Sequence, residues 1–67
     1  MAAEYPQEQF DTEYARFQRS ADWELKNIVT ALNLMPFLNT SEQWARLAAV
    51  KQIKKEREAR KRALRNP

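Results

Sequence analysis

The chain has 67 residues, with 12 Lys and Arg against 9 Asp and Glu, a formal charge of +3, and no Gly, Cys or His. A single domain this small gathers only about 3–5 kcal/mol from its core, and without Cys or His neither a disulfide nor an imidazole–thiolate metal cluster can staple it. The same absences remove the commonest acid–base, thiol and metal-ligand chemistry, so no catalytic residue, cofactor, metal or small-molecule substrate is expected.

Residues 1–6 read as an N-terminal tail. The acids that begin the chain, Glu4, Glu8, Asp11 and Glu13, are not followed by an apolar h-region, so no secretory signal is expected here. From residue 7 the pattern becomes helical. Phe10, Tyr14, Phe17, Ala21, Leu25, Ile28 and Leu32 recur at steps of three and four. On a helix they stay within an arc of about 80°. Pro6 suits a helix start, and Glu8 and Asp11 suit the positive end of its dipole. One continuous amphipathic helix over 7–33 is expected, because the apolar phase passes Ser20 without slipping. The competing reading breaks the helix near Ser20, with Ser20 capping a new start and Asp22 in its first turn. Trp23 discriminates. It lies opposite the stripe of a continuous helix, whereas a break allows it to turn inward.

Pro36 ends the first helix, since it cannot donate to the preceding turn and disfavours α geometry at Met35. Residues 34–40 form an apolar connector. Leu34, Met35, Phe37 and Leu38 are expected to plug the open end of the helix pair, or else to hook a partner. This stretch is far too short to cross a bilayer.

Thr40, Ser41, Glu42 and Gln43 give the T-x-x-Q capping box, so a second helix is expected over 41–65. Its first half carries Trp44, Leu47, Val50 and Ile53. Its second half is densely charged, with Glu56 and Glu58 each four residues before an Arg, the favourable order for ion pairing.

The expected fold is therefore all-α: an antiparallel helical hairpin of two long helices, or three helices if the first breaks near Ser20, completing a bundle with a partner or second copy. In the hairpin, Trp44, Leu47 and Val50 meet Leu25 to Leu32, and the basic end Arg57 to Arg65 lies beside the acidic start. That pairing leaves Phe10, Tyr14 and Phe17 facing a stretch with few apolar side chains. Together with Trp23 they form the expected partner surface, because aromatics left uncovered on one face are the residues that dominate interfaces.

Charge is unevenly spread. Residues 1–42 carry a net −4 and residues 43–67 a net +7. Lys51, Lys54, Lys55, Arg57, Arg60, Lys61, Arg62 and Arg65 are expected to contact an acidic partner, or DNA or RNA phosphates without base specificity. The runs Lys54-Lys55-Glu56-Arg57 and Lys61-Arg62 also fit loose nuclear-import patterns. A chain of the nucleus or cytoplasm, neither secreted nor transmembrane, is the expectation. Its function is expected to be that of a non-enzymatic protein–protein interaction module or small subunit. The alternative is a nucleic-acid-binding accessory protein.

Overall fold

The computed structural model describes residues 5–34 and 40–65. Among them the chain is all-helical, with α1 over Gln7–Phe17, α2 over Asp22–Leu34 and α3 over Ser41–Arg65. Helix α3 packs against both α1 and α2.

The expected single helix over 7–33 is therefore corrected: it is interrupted at residues 18–21. Local chemistry permits the break. The Ser20 N–H donates to the Phe17 carbonyl (3.1 Å), and the Ala21 carbonyl accepts from the N–H groups of Glu24 (3.0 Å) and Leu25 (3.1 Å). The residue before α2 is Ala21 rather than Ser20. The Glu24 carboxylate reaches back to the Ala21 N–H (3.4 Å), which is half a capping box with no side-chain oxygen to complete it. Asp22 and Glu24 then sit in the first turn, where the helix dipole favours negative charge.

Tertiary packing makes the break favourable. Folding α1 back brings Tyr14 and Phe17 onto the cluster Leu25, Val50 and Ile53, beside Ile28 and Val29. Half-enclosing an aromatic side chain removes about 100 Å² from water, about 2–3 kcal/mol at about 25 cal/mol per Å². Each exposed helical hydrogen bond given up contributes only about 1 kcal/mol net. Several of those groups also find new partners. The Gln18 carbonyl, for example, accepts from Arg57 Nη2 at 2.9 Å.

The break changes which residues face each other. Glu13 and Phe17 of α1 both meet Arg46, while Tyr14 and Gln18 meet Glu56 and Arg57, so α1 lies across α3 rather than along it. Asp22, at the start of α2, meets Arg57 and Lys61 near the end of α3. The basic end of α3 thus lies beside the start of α2, whereas Glu8 and Glu13 line a groove with Glu42 at the other end of α3. The expected pairing of chain ends is corrected for that reason.

The core is small. Leu25, Leu32, Ala45, Leu47, Ala49, Val50 and Ile53 are buried. Ala45 and Ala49, residues whose helix propensity alone would explain them, are fully enclosed, and their small side chains leave room for the neighbouring helices to approach α3. Beyond Ile53 no side chain of α3 is buried, and of its last three turns only Arg57 is half-buried.

The start of α3 follows the sequence expectation closely. The Thr40 N–H donates to Gln43 Oε1 (2.8 Å), and the Gln43 N–H donates to Thr40 Oγ1 (3.3 Å), the reciprocal bonds of a capping box. At α1, the extended Pro6 carbonyl accepts from Gln9 and Phe10, so the helix starts at residue 7 as expected. Of the expected connector, Leu34 is exposed, and Met35, Phe37 and Leu38 lie outside the described residues.

Candidate partner-binding surface

The four aromatics expected to form a partner surface are separated by the fold. Tyr14 and Phe17 are half-buried against the core cluster. Phe10 is half-buried between the rings of Tyr5 and Tyr14, with centroids 6.2 and 6.0 Å away. The start of the aromatic stripe is thus partly covered within the chain, Tyr14 and Phe17 by the core cluster of α2 and α3 and Phe10 by its ring neighbours. Trp23 behaves otherwise. It stays 67% exposed although the helix breaks, so the break does not turn it inward.

Trp23 lies one residue from Asp22, whose carboxylate bridges α2 to α3. Asp22 Oδ1 accepts from Arg57 Nη1 at 2.6 Å, and Oδ2 from Lys61 Nζ at 3.3 Å. The hydrogen bond from Arg57, followed by that from Lys61, holds the Asp22 carboxyl below its ordinary range. A groove runs between the two helices here, lined by Asp22, Lys26, Lys54, Arg57, Glu58 and Lys61. Leu64, 79% exposed, follows Lys61 by three residues at the same end of the molecule.

The basic residues of α3 fall into two groups. Arg57 and Lys61 are tied to Asp22. Lys51, Lys54, Lys55, Arg60, Arg62 and Arg65 are exposed and take part in none of the ion pairs formed among the described residues. The favourable Glu56–Arg60 and Glu58–Arg62 spacings do not produce ion pairs there. Glu56 instead accepts from the Tyr14 hydroxyl and from Gln52 Nε2. The bond to the carboxylate raises the Tyr14 phenol above its ordinary 10.0, and the same bond lowers Glu56.

Two residues that sequence reasoning passed over are structurally prominent. Glu13, placed with the acidic start of the chain, is only 3% exposed. It receives Arg46 as a fork, with Nε 3.2 Å from Oε2 and Nη2 3.2 Å from Oε1. Arg46 also meets Glu42 (3.2 Å) and lies 5.7 Å from the centroid of the Phe17 ring. The signal was present. At 100° per residue Glu13 falls about 40° from Phe17, inside the apolar side of α1 rather than opposite it. Lys26 is the second. It belongs to the acidic half of the sequence, yet shares a groove with three cations of α3.

Among the described residues no three carboxylates converge as a metal site, and no helix is long and apolar enough to cross a membrane. No family model, curated protein or solved structure matches the chain.

Proposed function

We propose that this chain is a non-enzymatic interaction module, or a small subunit of a larger assembly, which docks on another protein through the end of the molecule where α2 begins and α3 runs out. Trp23 is the observation that carries the reading. A Trp in the first turn of a helix, two-thirds exposed, with its helix neighbour Leu25 fully buried, is a large apolar side chain presented to the outside. Tryptophan is the residue type most enriched among those that dominate binding energy. Tyr14 and Phe17, committed to the core, contribute by holding α1 in place.

Trp23→Ala tests the reading. The exposed side chain should leave helicity unchanged, while association should weaken by about 2 kcal/mol or more, roughly thirtyfold. Light scattering measures self-association against the 8.0 kDa chain mass. A photo-crosslinking residue at position 23, competed with unlabelled chain, captures a different protein. Association unchanged by Trp23→Ala would overturn the assignment.

A second reading, contact with DNA or RNA phosphates, is supported by Lys51, Lys55 and Arg62. At 100° per residue these fall within about 40° of each other on the exposed side of α3. Affinity that falls steeply with salt would support it, because released counterions drive such binding. No binding at low salt would end it.

A further inference from the structure

We infer that the groove between α2 and α3 is a carboxylate-reading site: Lys26, Lys54 and Lys61, with Trp23 beside Lys26 on the surface of α2, receive an acidic, apolar segment of a partner protein. The inference rests on the docking reading above and names the chemistry of its partner.

Four cations line this groove, against two carboxylates, Asp22 and Glu58. Asp22 answers Arg57 and Lys61. Lys26 and Lys54, from different helices, share the groove and are in no ion pair among the described residues. Four cations against two carboxylates leave the groove with an excess of positive charge, which a bound anion relieves. Residues 59–65 hold four cations, Arg60, Lys61, Arg62 and Arg65, and no acid, so the field at this end of α3 is positive.

Two features select an acidic protein segment over a nucleic acid. Asp22 and Glu58 lie within the groove and would repel a continuous line of phosphates. Spaced carboxylates separated by apolar residues can meet the lysines while avoiding them. The exposed large apolar residues at this end are Trp23 and Leu64. An aliphatic Leu offers nothing to a phosphate, but an amphipathic segment covers both. Trp23 and Lys26 are three apart on α2 and so neighbours on its surface, which places ring and ammonium within reach of one ligand. Lysine suits the task, as a compact point charge on a flexible apolar stem.

The test is a fluorescence-anisotropy titration of the full chain with three probes. These are a labelled amphipathic peptide of Glu and Leu, the same peptide with Gln for every Glu, and a labelled oligo(dT). The Glu peptide should bind, more weakly at high salt, with the Gln peptide and oligo(dT) at least tenfold weaker. Lys26→Ala with Lys54→Ala should weaken the Glu peptide about tenfold, whereas Lys51→Ala with Lys55→Ala, further round α3, should change it less than about twofold. Circular dichroism of each variant confirms that the fold is kept. Equal loss in both double variants would overturn the site in favour of unspecific attraction. A Gln peptide that binds as well as the Glu peptide, and depends on Trp23, would overturn carboxylate reading while leaving the docking face intact. No binding of the Glu peptide at low salt, or tighter binding of oligo(dT), would overturn the inference outright.

Discussion

Arg46→Met removes one half of the part-buried Glu13–Arg46 fork and leaves the almost fully enclosed carboxylate of Glu13 without its ion-pair partner. Taking away one partner of a buried pair costs about 3–5 kcal/mol, because the remaining charge keeps its desolvation penalty. Arg46 is about a quarter exposed, which favours the lower end, about 3 kcal/mol. The contacts of Arg46 with Glu42 and Phe17 are lost as well. A domain of this size gathers about 3–5 kcal/mol in all, so the variant should keep only about 0–2 kcal/mol in plain buffer. Urea and thermal melts followed by helix dichroism would show a lost or strongly lowered transition. The double variant Glu13→Met with Arg46→Met should recover most of the loss, since replacing both members of a buried pair with apolar side chains is often neutral or stabilising. The reasoning is refuted if Arg46→Met melts within about 1 kcal/mol of the parent, or if the double variant is no more stable than the single one.

Three further outcomes follow from the geometry. The Tyr14–Glu56 hydrogen bond should persist between two titrations: its contribution is present above the ordinary 4.5 of Glu56 and lost as pH falls through the lowered value, and present below the ordinary 10.0 of Tyr14 and lost as pH rises through the raised one. NMR titration of both groups checks this, and Tyr14→Phe should return Glu56 toward its ordinary range. Asp22 should titrate below 3.8, so its bridge from α2 to α3 is present above that value and released as pH falls through the lowered one. Arg57→Ala should move the Asp22 carboxyl back up in the same experiment. Thr40→Ala removes the hydroxyl half of the α3 capping box and should cost about 1 kcal/mol in a urea melt.

Local signals in the sequence were enough for everything decided within a turn or two. The capping box at Thr40 and Gln43 is read from four residues, because its bonds join groups three apart, and α3 spans the residues that pattern predicts. Pro6 likewise marks the start of α1. The all-helical class follows from a three-four spacing of apolar residues that no strand could use. The exposed charges of α3 were legible too, as no apolar face accompanies them.

Tertiary structure decided what depends on distant residues. Nothing between Phe17 and Asp22 compels a break, and the apolar phase runs through it. The break is favoured because α3 can then cover Tyr14 and Phe17 from one side and Leu25 from the other. The same break sets Asp22, rather than Glu8 or Glu13, against the basic end of α3. It also sets Glu13 opposite Arg46, which is 33 residues away in sequence, and brings Lys26 into a groove with Lys54 and Lys61. Periodicity reports which face of a helix is apolar. It does not report which other helix will supply the opposing surface, and that choice separates the aromatics enclosed by this chain from the one it leaves in water.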